Sequence, residues 1–335
     1  MTVDFTSIPI IDLGEAEDPA IRPRVLEELR HVLLNVGFLY VRNHRVSKKV
    51  IQDLVTALAV LFRLNEQEKD EVALCNSPHF LGYSGTGSET TAGRTDGREQ
   101  FEFATELRDD WVEAYPPLRP IVNAYIASLT QLSQDFLNLV AEALSLPPRT
   151  FHPFLSDQHR LKLVHYPASD EGGQGVGPHK DSSGWWTFLL QASLPHVKGL
   201  QVFTKNGDWV DVPNIPGTFV VNIGQGFEVV TNGVCKATTH RVLSGSEERF
   251  SVPFFQGLRR SLTKTEATGR LKEHFEQRGF RVADESDEGR QIDGAFLRGK
   301  CATWGDSQLR TKIQSHPDVG SKFYGDYLDR YVNDE

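Results

Sequence analysis

Between Leu161 and Phe255 the chain carries seven short runs rich in β-branched and aromatic residues, and these runs limit the folds open to it. They are Leu161–Val164, Trp185–Gln191, Leu200–Phe203, Trp209–Val212, Phe219–Ile223, His240–Val242 and Arg249–Phe255. Turn signals such as Asn206-Gly207 and Asn232-Gly233 separate them. Many short strands of this kind predict a barrel or a double-sheet jelly roll. Helical spacing dominates on either side. Residues Ile21–Asn35 and 47–72 read as helices around the strand Gly37–Val41, after a first strand at Ile8–Asp12. Ile121–Leu146 reads as a long helix closed by Pro147-Pro148, and the tail beyond Leu262 as helices and loops. Residues 76–100 are glycine-rich and predict a loop that serves as a lid or a mobile surface segment. The expected organisation is an N-terminal α/β module (1–115), a long helix and connection (116–157), a β core (158–260) and a C-terminal helical extension (261–335).

Composition narrows the function. The 335 residues carry a net charge of −9, which argues against nucleic acid or an anionic membrane as the main partner. Cys75, Cys235 and Cys301 are far apart and form no CxxC, so buried thiols in a reducing compartment are expected. The opening MTVDFTSIPIIDLGE has no basic start and no long apolar run. A cytoplasmic protein acting on a small molecule is the expectation.

His179-Lys180-Asp181 precedes the run Trp185–Gln191. In extended chain, residues two apart point the same way, so one imidazole and one carboxylate can face one point while Lys180 turns aside. His240, at the start of another run, is the candidate third ligand. Two imidazoles and a carboxylate form a facial set suited to Fe(II), with open positions for a co-substrate and O₂. Without thiolate, such a set fits redox iron better than structural zinc. His31, His152, His159, His196, His274 and His316 lack this context and are read as structural or solvated.

Arg249 and Ser251 share one face of a strand beyond His240. A guanidinium fork and a hydroxyl suit a carboxylate, here the distal one of 2-oxoglutarate, and Tyr166 could add a third hydrogen bond. An ion pair of Arg249 with Glu247 or Glu248 is the competing explanation.

The segments LKLVHYP, GPHKD, WWTFLLQ, GLQVF, DWVDVPNIPGTFVVNIG, TTHRV and RFSVPFF together resemble the iron(II)- and 2-oxoglutarate-dependent dioxygenase superfamily, in its isopenicillin N synthase-like branch. IPIIDL, GFLYVRNH and the Gly82-Tyr83 loop resemble the opening module of the same branch. The resemblance implies a mainly β fold with flanking helices around a double-stranded β-helix core, of the jelly-roll, cupin-like kind. It implies iron at His179, Asp181 and His240, and 2-oxoglutarate at Arg249, Ser251 and Tyr166. Lys180 and Gln225 stand where many members have Thr and Asp. The implied reaction is hydroxylation, desaturation or ring rearrangement of a small molecule, with a secondary metabolite such as a polyketide or alkaloid intermediate expected. Tyr83, Phe101, Phe103, Trp186, Phe227 and Phe255 are the expected substrate contacts, and an aromatic lining favours a planar or apolar molecule. An oxidase of the same fold that does without 2-oxoglutarate, and an inactive binding protein, are the alternatives that sequence leaves open.

Overall fold

The computed structural model describes residues 6–91, 93–105, 112–170, 172–182, 184–280, 296 and 298–332. Residues 281–295, part of the expected helical tail, lie outside them. Among the described residues, fourteen strands run in chain order: β1 (Ile10–Asp12), β2 (Phe38–Arg42), β3 (Gly82–Ser84), β4 (Thr90–Thr91), β5 (Arg94–Thr95), β6 (Glu99–Ala104), β7 (Arg160–Tyr166), β8 (Gly173–His179), β9 (Trp186–Gln191), β10 (Leu200–Phe203), β11 (Trp209–Asp211), β12 (Thr218–Ile223), β13 (His240–Ser244) and β14 (Arg249–Phe255). Eight form one sheet in the order β1-β2-β12-β9-β14-β7-β6-β3. Four form a second, β11-β10-β13-β8, and β4-β5 is a separate hairpin. Apart from the parallel pair β1-β2, the ladders are antiparallel. Two sheets with helices outside the larger one make the jelly-roll architecture that the strand runs predict.

Residues 76–100 are more ordered than their glycines suggest. They hold β3, the β4-β5 hairpin and the start of β6. β6 completes the large sheet by pairing with β7, with Glu102 opposite Lys162. Its sequence, Glu-Gln-Phe-Glu-Phe-Ala, alternates charge and aromatic rings, and the sheet buries both faces.

The helix Leu118–Ala143 backs the large sheet because its apolar residues recur every three or four positions. Its Phe136 meets Trp186 and Phe188 of β9 edge-on, with ring centroids 5.3 and 5.7 Å apart. The helix Lys48–Leu61 lies beside it, capped by the Ser47 hydroxyl. Of the three thiols expected to be buried, only that of Cys235 is. Cys75 is exposed, because the short 3-10 turn Leu74–Asn76 buries Leu74 instead, and Cys301, on a connection, lies between. Among the described residues no helix is long and apolar enough to cross a membrane.

The C-terminal part returns to the mouth of the β core. The helix Trp304–Ser315 starts with a capping box, in which the Thr303 hydroxyl accepts from the Asp306 backbone and Asp306 accepts from that of Thr303. It sets Gln308 and Lys312 against residues of the core.

Candidate active site

Strand pairing brings the expected ligands together. β8 runs antiparallel to β13 with His179 opposite His240. Their rings lie 4.3 Å apart, centre to centre. Asp181 follows two residues after His179, and its Oδ1 lies 3.5 Å from the Nε2 of both histidines. One donor atom from each of the three falls within 4.8 Å of the others.

The neighbours fix which atoms face this point. His179 Nδ1 lies 2.8 Å from the Gly177 carbonyl and His240 Nδ1 3.1 Å from that of Thr238. A carbonyl only accepts, so each Nδ1 carries the proton and each Nε2 keeps its lone pair. The other carboxylate oxygen of Asp181 accepts from Thr187 of β9 and, at 2.7 Å, from Asn222 of β12. The backbone N–H of Gln225 donates to the Asp181 carbonyl at 2.8 Å. Gly224 allows that approach, since a Cβ there would stand 2.1 Å from the Gly184 carbonyl oxygen. Asparagine and threonine sense no sequence spacing, so only the inward parity of their strands could have flagged them.

Electrostatics agree with this division at Asp181 and His179. Burial alone would raise the Asp181 carboxyl, but His240 and His179 hold it well below the usual carboxylate range. Burial and then the neighbouring His240 push the His179 imidazole down. For His240 burial acts the same way, yet Asp181 outweighs it and the imidazole is raised. An ionised carboxylate beside neutral imidazole is the form in which such groups bind a metal. Imidazole nitrogens and a carboxylate oxygen, with no sulfur, match Fe(II).

A cavity of about 600 Å³ opens from this point, lined among others by Tyr166, Arg249 and Ser251. β14 pairs with β7 so that Arg249 faces Tyr166 and Ser251 faces Val164. The Arg249 guanidinium lies 5.0 Å from the Tyr166 ring centre. Its Nη2 donates weakly to Gln191 at 3.3 Å, and its Nη1 is buried with no partner. Neither Glu247 nor Glu248 pairs with it, because they reach His196 and His165. Burial pushes the Arg249 guanidinium down from its ordinary value, and Tyr166 offsets only part of this. A buried cation without a carboxylate calls for an anion from solution.

The expected substrate contacts divide sharply. Phe255 lines the cavity. Trp186, Phe101, Phe103 and Phe227 do not. They are core residues, as is Tyr83, whose hydroxyl donates to Glu99 at 2.7 Å. The cause is strand alternation: Thr187 and Leu189 of β9 face the cavity, so Trp186 and Phe188 face the helix behind the sheet. In β6 Glu102 points in while Phe101 meets Phe62 on the other side. Phe227 packs on Trp185, Trp186 and Phe151. Lys180, expected to turn aside, reaches 4.0 Å from Glu228 yet also lines the cavity. His316, expected to be structural or solvated, lines it too.

Comparison with known proteins agrees with the geometry. Residues 8–121 match the family model of the non-haem dioxygenase in morphine synthesis N-terminal region, and residues 158–257 match that of the 2OG-Fe(II) oxygenase superfamily. The chain is 39% identical to the 2-oxoglutarate-dependent dioxygenase frbJ of Dothideomycetidae sp. (strain 11243), over 96% of this chain and 93% of that one. It is 32% identical to a 2-oxoglutarate-dependent dioxygenase of Gibberella zeae, over 98% and 94%. The dioxygenase for auxin oxidation of rice shares the fold, with a TM-score of 0.67 at 23% identity, over 89% of this chain and all of that one. With near full-length identity to such relatives, and a His-Asp-His cluster opening onto a buried arginine, the chain belongs to the iron(II)- and 2-oxoglutarate-dependent dioxygenases of the 2OG-Fe(II) oxygenase superfamily.

Proposed function

We propose that His179, Asp181 and His240 hold the Fe(II), that Arg249, Ser251 and Tyr166 anchor the distal carboxylate of 2-oxoglutarate, and that the substrate is a small molecule of secondary metabolism. The observation that carries this reading is the buried, unpartnered Nη1 of Arg249 in the same cavity as the three ligands. When bound, the iron with 2-oxoglutarate and O₂ supplies the oxidising power, the keto acid leaving as succinate and CO₂.

The chain's own groups bind and orient. Thr187 and Asn222 hold one oxygen of Asp181 so that the other faces the histidines. Arg249 offers a planar fork to the carboxylate, and each charge-assisted hydrogen bond contributes about 1.5–3 kcal/mol. Tyr166 lies beside the Arg249 guanidinium, and its O–H donates to the same carboxylate. Burial of Arg249, Ser251 and Tyr166 excludes water from the co-substrate site. The net charge of −9 supports a free small molecule as partner, rather than nucleic acid or an anionic membrane. Sparse, scattered cysteines support the cytoplasm as the compartment.

Two measurements test the assignment. Arg249→Leu is expected to raise the KM for 2-oxoglutarate at least tenfold while the KM for substrate moves far less, and an unchanged KM for the keto acid would remove the anchor. Chelation is expected to abolish succinate formation, and added Fe(II) to restore it.

A further inference from the structure

The same cavity carries a second polar surface, away from the Arg249 anchor. Lys162 lies four residues before Tyr166 on β7, and both line the cavity. Residues at this spacing share a face about 13 Å apart along the strand. Around Lys162 the cavity wall is charged. Glu102 of β6 is 2% exposed and lies 3.5 Å from Lys162. Lys312, from the helix Trp304–Ser315, reaches Glu102 at 2.5 Å. Glu89, 8% exposed and just before β4, lies 3.5 Å from Lys162 and 2.9 Å from His316. The carboxylates of Glu89 and Glu102 are both held well below the usual range: burial would raise them, but Lys162 and Arg98 outweigh it at Glu89, and Lys312 and Lys162 at Glu102.

Stability alone does not account for this network. Buried ion pairs repay their desolvation poorly, and apolar side chains of similar volume do as well or better. Here Glu89 and Glu102 alternate with Lys162, Lys312 and Arg98, which also pairs with Glu89, and all five line the cavity that holds the iron ligands. A flat apolar molecule seated there would strip water from them and return nothing. A ligand of one sign would leave the opposite charges with weakened partners. A molecule with both signs can exchange ion pairs one for one, its carboxylate taking Lys162 or Lys312 and its ammonium taking Glu102 or Glu89.

We propose that the substrate is a zwitterion of the amino-acid class, received by the wall of Glu89, Glu102, Lys162 and Lys312 and oxidised on the part of it that points back toward His179, Asp181 and His240. This rests on the oxygenase reading of the cavity and replaces the planar, apolar substrate that its sequence suggests.

The test uses the full chain loaded with Co(II) under argon. The visible cobalt spectrum is followed as 2-oxoglutarate is added, which reports the oxygenase reading by itself. Calorimetry on the Co(II)–2-oxoglutarate form then measures binding of free L-amino acids, L-ornithine included. The N-acetyl and decarboxylated counterpart of each, and 2-naphthol as a flat apolar probe, are measured beside them. At least one amino acid is expected to bind, and blocking its amine or removing its carboxylate should each weaken binding at least tenfold. Glu102→Gln and Lys162→Met should each do the same in variants that still melt cooperatively, and Lys162→Arg should restore most of the loss. A cobalt spectrum indifferent to 2-oxoglutarate overturns the oxygenase reading, and the zwitterion with it. A normal cobalt response overturns the zwitterion alone if no amino acid binds, if the capped forms bind as well, or if 2-naphthol binds better.

Discussion

Asp181 divides its two oxygens between two tasks. Oδ1 faces both histidines, and Oδ2 takes hydrogen bonds from Thr187 and Asn222. A carboxylate free to rotate would present either oxygen and would lose entropy on binding a metal; two fixed donors remove most of that freedom beforehand. Asn222→Ala deletes one donor without touching a ligand. Fe(II) affinity is expected to fall about tenfold, toward the lower end of what such partners contribute, and anaerobic Fe(II) titration reads it. Asp181→Ala removes the ligand itself and should lower affinity far more. Equal affinities in Asn222→Ala and the parent would mean that Thr187 alone orients the carboxylate.

At the scale of the strand, parity decides what reaches the cavity. β14 sends Arg249, Ser251, Pro253 and Phe255 inward, and the matching register of β7 sends Tyr166, Val164, Lys162 and Arg160 to meet them. The inward face of Arg249 and Ser251, the proposed co-substrate anchor, was legible for this reason: Arg and Ser two apart on an apolar run betray their face. The metal set was legible because HxD and a distant strand-borne His are unusual on otherwise apolar runs. The aromatic contacts were not, since Trp185 and Trp186 are adjacent and cannot both face one way, and a strand buried on both faces shows no polar side to orient it. Glu102 is hidden for the opposite reason, because the glycine-rich stretch 76–100 reads as a loop and masks the start of β6, whose alternation would point Glu102 inward. Gly175 on β8 shows how closely the two sheets approach. A Cβ there would stand 2.9 Å from the Tyr166 ring and 3.1 Å from Val242. Gly175→Ala is therefore expected to displace Tyr166 and raise the KM for 2-oxoglutarate severalfold. Gly245→Ala, with open space around its Cβ, should leave it unchanged, and steady-state kinetics on both separates strain at Tyr166 from a general effect of alanine.

Across the whole molecule, the C-terminal segment is tied to the β core by charge as well as by packing. Lys312 reaches back to Glu102 and His316 to Glu89, while Tyr324 stacks on Phe80 at 5.6 Å. These ties carry a pH signature. Burial would raise the Glu102 carboxyl, but Lys312 and Lys162 drive it down to about 2. In the unfolded chain it titrates near its ordinary value of about 4.3. A folded-state value below the unfolded one means that the stabilisation is complete above about pH 5 and is lost as pH falls toward 2. Its size is on the order of 2 kcal/mol, because the desolvation that pushes Lys312 down offsets part of the gain. Glu102→Gln should accordingly melt several degrees lower than the parent at pH 7, with two partly buried ammonium groups left short of a partner. The gap between the two proteins should narrow steadily below pH 5, since acid gives the parent the neutral side chain that the variant already has. Melting curves from pH 7 to 3 read this directly. A gap independent of pH would mean that the carboxylate's charge contributes nothing and that Glu102 holds the C-terminal helix through shape alone.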